Sequence, residues 1–123
     1  MTDRVCFNVS GIPIPKQSFR INSSGVHFQA EKVVTWQNTV AFYAKMAMQS
    51  RDPITEPVSM SIDFYLPNRS RKDLDNLSKA ILDSCNGIVY MDDCQVVDLE
   101  LHKHFDSDEY GCTVTVKEAG NGS

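Results

Sequence analysis

Near the N-terminus Val5, Phe7 and Val9 alternate with Cys6, Asn8 and Ser10. A period of two marks a strand with one buried face, and the breakers in GIPIPKQS end it. The segment INSSGVHFQAEK is polar and turn-rich and reads as a loop or short hairpin. Over residues 30–49 the period lengthens: Val33, Trp36, Val40, Tyr43 and Ala47 share one face at helical spacing. Pro53 closes that helix. The sharpest alternation follows, with Val58, Met60, Ile62, Phe64 and Leu66 against Ser59, Ser61, Asp63 and Tyr65, up to Pro67. A second helix is predicted where Leu74, Leu77, Ile81 and Cys85 share a face, with Asn86 and Gly87 as its stop. Beyond IVYMDD, the runs Val97, Leu99, Leu101 and Cys112, Val114, Val116 alternate again. They read as a hairpin joined through FDSDEY.

The order strand, helix, strand, helix, strands predicts an α+β fold. A mixed β-sheet of about four to five strands would carry the two helices on one face. At 123 residues the chain is expected to be one domain, 1–123, with 118–123 a flexible tail.

Composition narrows the class. Hydrophobic residues at 41% and charged residues at 23% are ordinary for a soluble globular chain. The apolar runs fall short of a membrane span, and MTDRVCFNVS lacks the apolar core of a signal peptide, so a cytoplasmic location is expected. Cys6, Cys85, Cys94 and Cys112 show no C-x-x-C spacing and are expected to be free, buried thiols. A net charge of −4 argues against nonspecific binding to DNA or anionic membranes. Distribution matters more than the sum. Acidic residues gather late, at Asp106, Asp108, Glu109 and Glu118, whereas Lys16 and Arg20 mark one basic cluster and Arg69, Arg71 and Lys72 another, with Lys79 and Lys103 beyond.

Chemistry concentrates in RSRKDLDNLSK, residues 69–79. Inside a helix, Asp73 and Asp75 would point about 200° apart. The change from extended chain to helix falls here, so Asp73 can end the extended segment while Asp75 begins the helix, and both can converge. Two converging carboxylates are costly unless a cation or proton lies between them. Mg²⁺ is typically held by one or two carboxylates with water and substrate phosphate. Asp92 and Asp93 in MDDCQ offer a third ligand; as neighbours on a strand, only one would point inward. Lys79 lies one helical turn beyond Asp75 and can approach a bound phosphate, with Arg69, Arg71 and Lys72 on the flanking phosphates. The competing explanation is structural: Asp is a favoured helix N-cap, so capping alone would explain Asp75, and Asp–Lys pairs four apart are common on exposed helices.

Other candidates carry less. His102 and His104 share a strand face and, with Cys112, suggest a soft-metal site, but no zinc spacing is present. Trp36 and Tyr43 suit base stacking; at helical spacing they suit a core equally well.

The composite DLDNLSKAILDSCNGIVYMDDCQVVDLELHK, residues 73–103, resembles the RusA family of Holliday junction resolvases, common in prophages. D-L-D-N-L-x-K, a helix, and D-D-x-Q-V-V-D carry the likeness, supported by the preceding strand, the basic run before Asp73 and the loop GIPIPKQSFR. The resemblance implies a dimeric, Mg²⁺-dependent endonuclease (Mn²⁺ can substitute) that nicks four-way DNA junctions symmetrically. It implies metal ligands at Asp73, Asp75 and Asp93, an essential Lys79, auxiliary roles for Asn76 and Asp92, and DNA contacts at Lys16, Arg20, Arg69, Arg71, Lys72 and Lys103. Two alternatives remain: a metal-dependent nuclease for other branched or flapped DNA, and a non-catalytic DNA-binding module of the same fold. The dimer contact is expected to use apolar residues left over on the long helix or the first strand.

Overall fold

The computed structural model describes residues 4–16, 20–21, 27–28, 31–69 and 71–120. Strand β1 (Arg4–Ser10) buries Val5, Phe7 and Val9 and exposes the residues between them, as its alternation requires. Strands β2 (Arg20–Ile21) and β3 (His27–Phe28) pair antiparallel as a short ribbon. Helix α1 (Glu31–Met48) buries Val33, Trp36, Val40, Ala44 and Met48. Strand β4 (Val58–Tyr65) precedes helix α2 (Leu74–Cys85), a 3-10 turn (Asp93–Gln95), strand β5 (Val96–His104) and strand β6 (Gly111–Glu118).

The main sheet runs β1-β6-β4-β5, with β4 and β5 parallel and the other pairs antiparallel. This is the mixed sheet of an α+β fold. Both helices contribute to one core with the inward residues of all four strands. Val58, Ile62 and Phe64 have no exposed surface. Burying a side chain of that size stabilises the fold by about 1.5–3 kcal/mol. The opposite face carries Ser59, Ser61 and Asp63 of β4 beside Asp98, Glu100 and His102 of β5 and Thr113 and Thr115 of β6, all polar.

The last two strands do not form the expected hairpin. β4 lies between them, parallel to β5 and antiparallel to β6. A central strand buried on its core face needs a hydrogen-bonding partner on each edge. α2 supplies the crossover that a parallel neighbour requires. Residues 105–110 then cross the end of β4, where the Ser107 N–H donates to the Leu66 carbonyl at 2.9 Å. β5 is left at the sheet edge, with Val97 64% and Leu99 37% exposed.

Gly111, where the chain enters β6, has φ of +153°, and a Cβ there would lie 2.0 Å from the Val9 carbonyl oxygen. Only glycine fits. β6 continues through Glu118, and Ala119 N donates to the Pro57 carbonyl at 2.9 Å, so residues 118 and 119, expected in a tail, are held in the fold. Residues 121–123 lie outside the described residues.

Cys85 and Cys112 are buried, and burial pushes each thiol up to about 12. Cys6 and Cys94, also expected inside, are exposed. Cys6 takes the outward face of β1, and Cys94 sits in the exposed 3-10 turn. Among the described residues no helix is long and apolar enough to cross a membrane.

Candidate active site

The N-terminus of α2 takes the form that residues 69–79 imply. Asp73 is extended (φ −70°, ψ 123°) and caps the helix, its Oδ1 accepting from the Asp75 N–H at 3.0 Å. The cap is therefore Asp73, not Asp75. Asp75 lies in the first turn, and its Oδ2 is 3.3 Å from Lys79 Nζ one turn on. All three side chains are exposed. Acidic groups at a helix N-terminus are favoured by the helix dipole, which offsets part of their mutual repulsion.

The proline-containing loop after β1 fixes this end of α2. Lys16 N donates to the Asn76 carbonyl at 2.9 Å, and the Lys16 ammonium pairs with Asp83 further along the helix. Lys72 Nζ donates to the Pro13 carbonyl at 2.7 Å, and Lys103 Nζ donates to the Lys72 carbonyl at 2.7 Å. Burial first, then the charge of Lys32, hold the Lys72 ammonium below the ordinary lysine value. Lys16, Lys72 and Lys103 thus make internal contacts that brace the site. Arg69 and Arg71 are exposed beside it. For Arg20 only the backbone, in β2, is described.

The second acidic pair is not on a strand. Asp92 precedes the 3-10 turn and Asp93 is its first residue. The Gln95 carboxamide holds this turn: its Oε1 accepts from Met91 N at 2.9 Å and Asp92 N at 3.0 Å, and its Nε2 donates to the Ile54 carbonyl at 2.8 Å and the Glu56 carbonyl at 2.9 Å. Sequence reasoning did not single out Gln95 for this role, although an Asp with Gln three residues later is the spacing of a capping box. Lys32 and Asp83 were also missed, and no local signal marks either. Asp93 and Asp92 lie near Tyr90, whose buried hydroxyl donates to the Leu82 carbonyl late in α2 at 2.8 Å. Burial, before these neighbouring charges, pushes the Tyr90 hydroxyl upward. Among the described residues no three His, Cys, Asp or Glu side chains form a metal-holding group. Asp73, Asp75 and Asp93 therefore do not form such a group among the described residues.

The other candidates separate. Trp36 is buried in the core, out of reach of a base, and Tyr43 packs at the core margin edge-to-face with Phe42. His104 hydrogen-bonds Asp63 at 2.8 Å and stacks on Tyr65 on the open face of the sheet, whereas Cys112 is buried.

Comparison with known proteins bears on this geometry. The profile of the family described as Endodeoxyribonuclease RusA matches residues 10–117. The crossover junction endodeoxyribonuclease RusA of Escherichia coli (strain K12) is 33% identical over 110 residues, covering 89% of this chain and 90% of its own. Its namesake from Enterobacteria phage 82 is 32% identical over the same shares. Protein YqaN of Bacillus subtilis (strain 168) is 31% identical over 94% of this chain and 97% of its own.

Proposed function

The chain belongs to the endodeoxyribonuclease RusA family, and from that premise we propose that it is a Mg²⁺-dependent nuclease resolving four-way DNA junctions by paired, symmetric nicks. The observation that carries the reading is the exposed start of α2, where Asp73, Asp75 and Lys79 adjoin each other next to Arg69 and Arg71.

Two exposed carboxylates suit a hard cation whose remaining positions go to water and phosphate. Asp73 and Asp75 would hold Mg²⁺, or Mn²⁺ in its place. Such a cation makes water a usable nucleophile near neutral pH and offsets charge on the phosphate oxygens. In the reaction a water oxygen bonds to phosphorus and the bond to the 3′-oxygen breaks. The water gives up a proton and the departing oxygen takes one, leaving 5′-phosphate and 3′-hydroxyl ends. Lys79 faces the reacting phosphate and stabilises the charge that develops there. Arg69 and Arg71 hold flanking phosphates and set the register of the strand.

Asp93 enters as the third carboxylate from a second copy, with Asp92 as its auxiliary neighbour. A junction has approximate two-fold symmetry, so a two-fold dimer presents one site to each of two opposed strands. The test uses a synthetic mobile four-way junction, a linear duplex and a flap, each with Mg²⁺ and with EDTA. Paired nicks are expected in the junction and only with the metal. Equal cutting of linear duplex, or cutting that survives EDTA, would defeat the reading; preferred cutting of the flap would move the substrate to other branched DNA.

A further inference from the structure

We propose that the groove between the loop after β1 and the start of α1 holds one unstacked nucleotide of the junction, with its phosphate at the Lys32 and Lys72 ammonium groups and its base against Ile12, Ile14 and Trp36. This rests on the nuclease reading above and adds a substrate-binding subsite beside its active site.

The groove has a volume of about 350 Å³, within the range of small-molecule sites. Ile12 and Ile14 line it from the loop, and Glu31, Lys32, Thr35 and Trp36 line it from the first two turns of α1. Its walls are mostly apolar. Ile12 is 46% exposed, which leaves apolar surface in water at the rim.

The mouth is cationic. Lys32 is exposed on the α1 side. On the loop side Pro13 lies between Ile12 and Ile14, and its carbonyl accepts from the Lys72 ammonium at 2.7 Å. The two ammonium groups are near enough for the charge of Lys32 to act on Lys72. Like charges gathered at one rim repel, and an anion beside them relieves that repulsion. The positive end of the α1 dipole adds to the same field. Among the described residues that line the groove Glu31 is the single acid, so two cations face one carboxylate. An anion-attracting mouth over an apolar interior suits a nucleotide better than a free anion or an apolar peptide.

Position favours DNA. Lys72 immediately precedes Asp73, and the Lys16 N–H ties the loop to the Asn76 carbonyl of α2 at 2.9 Å. A strand that runs past Arg69 and Arg71 to Asp73 and Asp75 therefore passes this mouth. Drawing a base out of its stack costs least where pairing is already interrupted, as at a branch point. The other described grooves lack the charge. The open face of the sheet carries Asp98, Glu100 and Glu118, and the groove along 105–110 carries Asp106, Asp108 and Glu109; in both, acids outnumber cations and repel a phosphate.

The test places 2-aminopurine, one position at a time, around the branch point of a synthetic four-way junction and reads binding without Mg²⁺. With the wild type one position should brighten as its base leaves the stack. Lys32→Ala should weaken junction binding roughly tenfold and lower the salt slope by about one, and Lys32→Arg should restore both. Ile12→Ser, at an exposed position, should abolish the brightening and leave the salt slope as it was. Wild-type affinity and slope in Lys32→Ala, no position that brightens, or brightening that survives Ile12→Ser each overturns the subsite. Cleavage in Mg²⁺ is read separately. Junctions nicked by the wild type while these variants change nothing would keep the nuclease reading without the subsite. Junctions that brighten as expected yet stay uncut in Mg²⁺ would keep the subsite and defeat the nuclease reading.

Discussion

Asp73 accepts the backbone N–H of Asp75 at 3.0 Å, so the cap of α2 and a candidate metal ligand are the same carboxylate. Asn caps helices about as well as Asp, whereas Ala costs on the order of 1 kcal/mol. Asp73→Asn should therefore abolish junction cleavage while thermal stability and junction binding stay near wild type. Asp73→Ala should lose both activity and about 1 kcal/mol. Denaturant titration beside a cleavage assay separates the two roles. Full cleavage by Asp73→Asn would reduce this carboxylate to a cap.

Lys79 and the arginines should divide chemistry from binding. The Lys79–Asp75 pair is exposed, and such pairs contribute roughly 0–1 kcal/mol. Lys79→Ala should leave stability and junction affinity little changed and lower single-turnover cleavage by about a hundredfold or more. Paired neutralisation of Arg69 and Arg71 should weaken junction binding and flatten its salt dependence. Equal loss of affinity in both variants, with turnover untouched, would refute the division.

Gln95 holds the turn that carries Asp92 and Asp93. Gln95→Leu removes an acceptor from two N–H groups and a donor from two carbonyls. It should cost about 1–3 kcal/mol. Cleavage should fall with junction binding retained, because the turn loses its anchor to residues 54–56. Wild-type cleavage in this variant would show that the turn needs no such anchor.

Gly111→Ala tests the entry to β6. Its Cβ would meet the Val9 carbonyl oxygen at 2.0 Å, and φ is +153°. A loss of roughly 2 kcal/mol or more is expected, since neither backbone strain nor collision can relax without moving β1. An unchanged melting temperature would show that β1 and β6 give way easily.

Cys85 and Cys112 make the fold sensitive to alkali. Both thiols are raised from an ordinary 9.0 to about 12. Below about pH 9 both are protonated folded and unfolded, and their contribution is fully present. Between about 9 and 12 the unfolded chain releases protons that the folded chain retains, so stability falls with rising pH. Each thiol adds about 1.4 kcal/mol per pH unit to that slope. Cys112→Ala should flatten the alkaline decline in urea midpoint, and an identical decline in the variant would remove the thiol from the account.

Much of this was legible in one dimension. The alternation in β4 and the spacing of Leu77, Ile81 and Cys85 fixed elements whose faces the structure buries as expected. The switch from extended to helical chain at Asp73 placed two carboxylates and Lys79 at one helix end, because residues within a turn meet by local geometry alone.

Pairing was not legible. Val97 and Leu99 alternate as a core strand does, yet tertiary structure set β5 at an edge and inserted β4 before β6. An alternating run states which face is apolar, not which strand lies beside it. The contacts of Lys16, Lys72 and Lys103 with Asp83 and the carbonyls of Pro13 and Lys72 came only from packing. Asp73, Asp75 and Asp93 likewise form no metal-holding group among the described residues. Sequence by itself determined the local chemistry at the start of α2, where neighbours along the chain are neighbours in space. Contacts between residues far apart along the chain were decided only by how the sheet closed around β4, since no local propensity encodes which distant strand edge or carbonyl a residue meets.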